Sequence, residues 1–150
     1  MKVIKKTGQI YWGSMSATFQ YGSKTRYLEK EHIYFENRLM VSGQVIHAWD
    51  LVCSYQAIRL QPALPLLKRG KNYCLTAYMD LFPKDSVFLK VCFFDRYDKE
   101  VGSRISRTRE LFFTYPKEAY KYQIQLLSAG IESMDFYYLT LEEQEVAHVT

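Results

Sequence analysis

The chain has 150 residues, of which 48% are hydrophobic and 24% are charged, and its formal net charge is +4. This composition is typical of one globular domain with a proper core, and it excludes a disordered chain. The basic residues stand in short runs interleaved with acidic ones, so the charge is too dispersed to predict a nucleic-acid binder.

The first half of the chain is predicted to contain short strands. His32–Phe35 is a strand candidate because β-branched and aromatic residues favour a pleated surface. Leu39–Val41 and Val45–Trp49 flank a Ser-Gly pair, and we predict that they form a hairpin. Leu51–Leu60 adds a further strand candidate.

The second half of the chain carries stronger strand signals. Apolar and polar residues alternate from Tyr73 to Leu81, and this period of two predicts a strand that is buried on one face. Val87–Phe94 is apolar on both faces, which predicts a central strand that leads through a turn to a hairpin partner at Val101–Ile105. Met134–Leu141 is the predicted final strand.

The segment that begins at Pro116 and ends at Gly130 fits two patterns. Tyr122, Ile124 and Leu126 alternate as they would in a strand. The flanking proline and glycine also stand where a helix would begin and end. The strand-like neighbours and the residue types favour a strand.

About seven to nine short strands with frequent turns predict an all-β fold, a β-sandwich or jelly roll. We expect a single domain over residues 1–141. Residues 142–150 have no apolar pattern, and they are predicted to form a flexible C-terminal tail.

The sequence FFDRYDKEVG, residues 93–102, combines acidic and aromatic side chains at the end of the predicted central strand. Its carboxylates have no nucleophile or base partner nearby, and they are too few for calcium, which needs six or more oxygen ligands. Turn chemistry is therefore the predicted role. Tyr97 and Asp98 are candidates for presentation to a ligand or a partner.

Aromatic residues are unusually frequent, with 13 Tyr, 9 Phe and 2 Trp. Rings with a polar tip suit contact surfaces, so Trp12, Tyr21 and Trp49 are candidates for stacking on a sugar or on a protein partner. Trp12 stands among small polar residues and is the better surface candidate. Trp49 adjoins an apolar strand, and we expect it in the core.

The sequence contains no constellation typical of an enzyme or a metal site. His32, His47 and His148 lack metal-ligand spacing, and the order Ser42, His47, Asp50 lacks a nucleophile elbow. The three cysteines include no CxxC motif and predict buried thiols in a reduced compartment. We therefore predict no enzymatic activity, no cofactor and no metal.

The N-terminal sequence MKVIKK is not followed by the apolar region of a signal peptide, and no run approaches membrane-spanning length. The chain is therefore predicted to be cytoplasmic. Contact with the inner face of the membrane is expected only through a partner.

A series of sequence blocks carries a family resemblance. YWGS, YGS, YFEN, SGQVIHAW, YQAIR, LPLLKRG, FFDRYD, FTYP and LLSAG follow one another between about residues 10 and 141. In this order they resemble the third of the accessory secretory proteins of the Gram-positive accessory Sec system. About residues 55–141, in which LPLLKRG, FFD, FTYP, YKYQIQLL, SAG and FYYLTL follow one another, are also similar to a carbohydrate-binding module of the jelly-roll type.

The resemblance implies a cytoplasmic, non-catalytic subunit. That family works with two companion accessory secretory proteins, one glycosyltransferase-like and one acetyltransferase-like, and with the accessory Sec motor ATPase. Together they assist the export of serine-rich repeat glycoprotein adhesins, which implies a glycosylated adhesin preprotein as client. Two alternatives stay open: a stand-alone carbohydrate-binding module, and a small lyase or hydrolase, against which the dispersed histidines argue.

Overall fold

A computed structural model describes residues 3–6 as backbone, and residues 8–13, 17–29, 31–50 and 64–144 in full. Within this part of the chain, ten strands pair in an antiparallel manner. They are β1 (Val3–Lys6), β2 (Lys24–Glu29), β3 (His32–Glu36), β4 (Val45–Asp50), β5 (Asn72–Phe82), β6 (Val87–Phe94), β7 (Glu100–Ser106), β8 (Glu110–Thr114), β9 (Lys121–Ser128) and β10 (Ser133–Gln144).

The strands form two sheets. The six-stranded sheet has the order β2-β3-β10-β5-β8, with β1 also paired to β10, and the four-stranded sheet has the order β4-β9-β6-β7. The 12 residues of β10 pair with β5 on one edge and with β3 and β1 on the other. This arrangement confirms the predicted all-β sandwich.

The inward-facing side chains of both sheets form the hydrophobic core. In β5, Leu75, Ala77 and Met79 are buried, as the alternation of the sequence predicts. In β9, Tyr122 and Ile124 are buried and their sequence neighbours are half-buried. The strand interpretation of this segment is confirmed, and β6, which lies between β9 and β7, is the predicted central strand.

The hairpin predicted around the Ser-Gly pair is wrong. The turn itself forms, because the Gln44 N–H donates to the Val41 carbonyl at 3.2 Å, but Leu39 and Val41 are exposed and lie outside any strand. β3 belongs to the six-stranded sheet and β4 to the four-stranded sheet. The segment between them therefore crosses from one sheet to the other, and β4 pairs with β9 instead.

The C-terminal strand is longer than predicted. β10 continues through 142–144, which pair with β5 and with β1, so the predicted start of the tail at residue 142 is wrong. Backbone pairing on both edges holds these polar residues in the sheet without an apolar pattern. Residues 145–150 and the candidate strand Leu51–Leu60 lie outside the described residues. Among the described residues, no helix has the length and apolar character that a membrane crossing requires.

Candidate interaction surface

The two tryptophans lie together in the core. Trp12 is 1% exposed, stacks on His47 with ring centroids 4.0 Å apart, and meets Trp49 edge-on at 5.9 Å. Its indole N–H donates to Thr18 Oγ1 at 2.9 Å, so the polar tip is satisfied inside the protein. The predicted surface position of Trp12 is therefore wrong, whereas the core position of Trp49 is confirmed.

His47 is a structural residue of this cluster. Its Nε2 lies 2.7 Å from the Trp12 carbonyl oxygen, so Nε2–H donates there, and Nδ1 accepts from the Thr18 hydroxyl at 2.7 Å. Burial lowers the pKa of His47 to about 4, which keeps the imidazole neutral at pH 7. Both ring nitrogens are thus occupied by structural hydrogen bonds.

The residues that suggested a catalytic triad do not come together. Ser42 is exposed in the turn before β4, and Asp50 accepts a hydrogen bond from Gln123 Nε2 at 2.8 Å. Cys74 and Cys92 are buried, and burial raises the pKa of both thiols. Among the described residues, no group of three or more His, Cys, Asp or Glu side chains is placed to hold a metal ion.

The turn between β6 and β7 is organised by Asp95. Its Oδ1 accepts from the backbone N–H groups of Tyr97, at 2.8 Å, and Lys99, at 3.0 Å. Asp98 adopts a φ of 64°, and its Oδ1 lies 2.5 Å from Lys121 Nζ. The predicted turn chemistry is confirmed. The ring of Tyr97 is 81% exposed, and its role in binding stays a prediction.

The predicted aromatic candidates do not form one patch. Tyr21 is 75% exposed in the turn before β2, at the six-stranded sheet, whereas Tyr97 lies in a turn of the four-stranded sheet. The structure brings together only the buried pair, Trp12 and Trp49. Contact of Tyr21, Tyr97 and Asp98 with a ligand or partner remains a prediction.

The sequence prediction missed a group of rings on the outer side of the six-stranded sheet. His32, Tyr34, Tyr78, Tyr137 and Tyr138 come from the adjacent strands β3, β10 and β5, and we call them the tyrosine face. The rings of Tyr78 and Tyr138 are 4.6 Å apart, and those of His32 and Tyr137 are 4.9 Å apart. Tyr78 is 40% exposed.

Carboxylates hold the polar ends of the tyrosine face. The contacts are Tyr34 Oη–H to Glu36 Oε1 at 2.8 Å, Tyr137 Oη–H to Asp80 Oδ2 at 3.2 Å, and His32 Nε2 to Asp135 Oδ1 at 2.7 Å. The bond to Glu36 raises the pKa of Tyr34, and partial burial followed by the bond to Asp80 raises that of Tyr137. Rings that are fixed in this way lose little freedom on binding, so they suit a contact surface.

A sequence signal for the tyrosine face existed. Tyr78 stands on the polar side of the alternating strand β5, where a large ring has no place in the core. Tyr34 takes the same position between the buried residues Ile33 and Phe35 of β3. A large aromatic residue on the polar side of a half-buried strand therefore indicates a surface ring.

Comparison with known proteins gives a consistent family match. The family model for the accessory Sec secretory system ASP3 matches residues 18–143. The chain is similar to the third accessory Sec system protein of Streptococcus gordonii, with 47% identity over 150 residues, 93% of this chain and 94% of that protein. It is also similar to the corresponding protein of Staphylococcus aureus, with 34% identity over 139 residues, 92% of this chain and 43% of that protein.

Solved structures agree with this match. A chain in the crystal structure of accessory secretory protein 1, 2 and 3 from Streptococcus pneumoniae superposes with a TM-score of 0.86 and 36% identity, over 95% of this chain and 100% of that chain. A chain of the Gap123 complex of Streptococcus agalactiae superposes with a TM-score of 0.82 and 32% identity, over 97% of this chain and 49% of that chain. A structure of the CBM22-1 and GH10 modules of a Clostridium thermocellum xylanase superposes with a TM-score of 0.61 and 12% identity, over 100% of this chain and 30% of that chain. At this identity the similarity shows the fold alone.

Proposed function

Because the chain belongs to the family of the third accessory secretory protein of the accessory Sec system, we propose that it is a non-catalytic subunit of a complex with two companion accessory secretory proteins. One observation carries the proposal. The chain superposes, with 36% sequence identity, on a chain of a structure that contains accessory secretory proteins 1, 2 and 3. The complex assists the export of serine-rich repeat glycoprotein adhesins.

The side chains that suggested chemistry support a role without catalysis. His47 is buried and neutral, with both nitrogens hydrogen-bonded, and Asp50 bonds to Gln123. Asp95 caps the turn that precedes β7. These side chains therefore stabilise the β-sandwich and are not arranged as a nucleophile with its base. The described surface offers area for binding a partner.

The tyrosine face is the surface that we propose for contact with a folded partner. Tyrosine buries a large area and loses little side-chain entropy, so it is frequent among residues that dominate binding energy. The rings of Tyr78 and Tyr138 pack on each other, and Tyr137 is anchored by Asp80. The partner therefore meets a surface that is already ordered.

The complex is proposed to act in the cytoplasm. Its contact with the membrane is indirect, through the accessory Sec motor ATPase and the translocase, and its client is the glycosylated adhesin preprotein. Nucleic acid is not a partner, because the charge of +4 is spread over both signs of side chain. Cofactors are not required for a role that consists of binding.

The test is a pull-down from a lysate of a Gram-positive cell that contains the accessory Sec system. The tagged chain should recover both companion proteins. Tyr78→Ala should reduce this recovery, whereas Tyr120→Ala removes a ring that is 54% exposed next to β9 and serves as the matched control. Failure to recover either companion with the wild-type chain would refute the proposed function.

Direct contact with the glycan is a second candidate function. The Tyr137 ring, whose hydroxyl donates to Asp80, and the His32 ring, whose Nε2 contacts Asp135, offer both stacking and hydrogen bonding to a sugar. Calorimetric titration with a glycosylated serine-rich peptide tests this function, with the unglycosylated peptide as control. Binding of the glycosylated peptide alone, with loss in Tyr78→Ala, would support it, and absence of binding at millimolar concentration would reject it.

A further inference from the structure

The three strands that carry the tyrosine face are acidic, although the chain as a whole has a formal net charge of +4. β3, β10 and β5 lie side by side in the six-stranded sheet. They contain no lysine or arginine, and their acidic residues are Glu36, Asp80, Asp135, Glu142 and Glu143. Negative charge is therefore concentrated in these strands, and the positive charge of the chain lies elsewhere.

Two of these carboxylates stand side by side within the tyrosine face, and we call Asp80 and Asp135 the aspartate pair. They are register partners in β5 and β10, so their side chains point to the same side of the sheet with Cβ atoms about 5 Å apart. Desolvation, the hydrogen bond to Asp80 and the charges of both aspartates raise the pKa of Tyr137, so both carboxylates lie near this hydroxyl. Like charges in directly opposite positions repel each other, which destabilises the sheet.

No lysine or arginine of the described residues neutralises the aspartate pair. Asp135 contacts His32 Nε2 at 2.7 Å, and Asp80 accepts from the Tyr137 hydroxyl at 3.2 Å. The ion pairs of the described chain that involve a lysine or an arginine join other carboxylates. Asp80 is exposed, and the side chain of Asp135 is 39% exposed. The pair is therefore open to a cation from outside the chain.

The basic residues on this side of the sheet lie at its edge. Lys24 and Arg26 of β2 are the register partners of Glu36 and Tyr34, and Arg38 Nε lies 3.9 Å from Glu36 Oε2. These cations balance Glu36, whereas the aspartate pair lies on strands further into the sheet. The Arg26 guanidinium is 5.9 Å from the centroid of the Tyr34 ring. A ring of the tyrosine face thus already holds an arginine through a cation–π contact.

We propose that the tyrosine face binds a basic segment of a companion subunit, with an arginine that donates to the aspartate pair. A planar guanidinium can bond both carboxylates and stack on the adjoining rings of Tyr78 and Tyr137. Its charge removes the repulsion between the carboxylates, and the partner covers rings that are ordered beforehand. This inference rests on the proposed function.

A second copy of the chain is the poorer occupant. A two-fold contact between two tyrosine faces would bring two aspartate pairs together. Contact of the tyrosine face with a basic surface of another copy would be head-to-tail and would continue into a ring or a filament. A neutral sugar would leave the charges of the aspartate pair unbalanced. A basic segment of a different subunit therefore fits this surface best.

Removal of charge tests the basic nature of the occupant. The double variant Asp80→Asn and Asp135→Asn keeps the shape of both side chains and should raise the Kd for the companion proteins at least about tenfold. Its Kd should also depend less on salt concentration than that of the wild type. The control is Glu100→Gln with Glu118→Gln, which removes the same charge at exposed positions, and its Kd should stay within about threefold of the wild-type value. Melting curves establish that the variants fold, and Asp80→Asn alone replaces the double variant if that variant does not.

Carboxyl footprinting of the full chain, alone and in the complex with both companion proteins, locates the contact. Carbodiimide and glycine ethyl ester label exposed carboxylates, and mass spectrometry measures the labelling of each residue. Labelling of Asp80 and Asp135 should fall at least about fivefold in the complex, because the partner excludes the reagent. Labelling of Glu118 should stay the same.

The outcomes separate this inference from the proposed function. A complex in which labelling of the aspartate pair is unchanged, or whose Kd is the same for the double variant, refutes the basic occupant and leaves the proposed function intact. Labelling that falls as the isolated chain is concentrated indicates a second copy and also refutes it. Absence of any complex with the wild-type chain refutes both. Protection of the pair together with a selective rise in Kd supports the inference.

Discussion

Lowering the pH should destabilise the fold through His47. The folded protein holds this imidazole neutral between the Trp12 carbonyl and the Thr18 hydroxyl, with a pKa of about 4. In the unfolded chain the pKa returns to about 6.5. Between these two values the unfolded state binds a proton that the folded state does not, so stability falls as the pH falls.

The magnitude follows from the separation of the two pKa values. Each unit is equivalent to about 1.4 kcal/mol, so the loss is about 2 kcal/mol at pH 5 relative to pH 7.5 and approaches about 3 kcal/mol near pH 4. Stability is fully present above pH 6.5 and is lost progressively towards pH 4. At pH 5 most carboxylates are still ionised, and comparison with a variant that lacks His47 isolates the contribution of this histidine from that of the other two.

Urea unfolding at pH 7.5 and pH 5 measures this loss, and NMR titration of the imidazole locates its pKa. The control is His47→Gln, which should be less stable at both pH values because the hydrogen bonds around Thr18 and Trp12 are disturbed. Its loss between the two pH values should be smaller than that of the wild type by about 2 kcal/mol. Equal losses in both proteins, or an imidazole that titrates near pH 6.5, would refute the reasoning.

Three further predictions concern the core, the turns and the exposed rings. Phe93→Ala should lower the free energy of unfolding by about 3–5 kcal/mol, because this ring is buried in the central strand β6, and a loss below about 1 kcal/mol in urea unfolding would contradict its placement. Tyr97→Ala should change the free energy of unfolding by less than about 0.5 kcal/mol and weaken recovery of a partner in a pull-down; severe unfolding would show that the ring is part of the core. Gly22→Ala should cost about 1–3 kcal/mol, because φ is 76° and the new methyl group would lie 3.1 Å from Leu39 Cδ1. Gly43→Ala is the control, because φ is 95° there but no atom lies within 4 Å of the new methyl group, so only the strain of the backbone conformation destabilises this variant. Equal melting temperatures for the two variants would argue against the close approach at Gly22.

The sequence predicts strands well where side-chain alternation is strict. β5 and β9 have such a pattern: one face of each is buried, and the other face, apart from Cys74, is half-buried or exposed. The pairing partner of β4 could not be predicted from the sequence in this way. It is β9, more than 70 residues away in sequence, and no local pattern encodes a contact at that distance. A nearby turn therefore suggested a hairpin that the crossing between sheets prevents.

The candidate site was predictable only in part. Small polar neighbours suggested a surface position for Trp12, whereas Thr18, six residues away, satisfies its indole N–H inside the core. The rings of Tyr34 and Tyr78 are visible one by one as large residues on polar faces, whereas Tyr138 faces outward because the strand is irregular between Phe136 and Tyr138. They become one surface only because β10 lies between β3 and β5, and this order is a property of the tertiary fold.

The central claim is that this chain is a stable subunit of a complex with two companion accessory secretory proteins. Size-exclusion chromatography with light scattering, on the three purified proteins mixed in equal amounts, tests it most directly. A single species that contains all three proteins, with the mass of their sum or of a multiple of it, is the expected result. Elution of the chain by itself, with its own mass of 17.8 kDa and apart from both companions, would contradict the account.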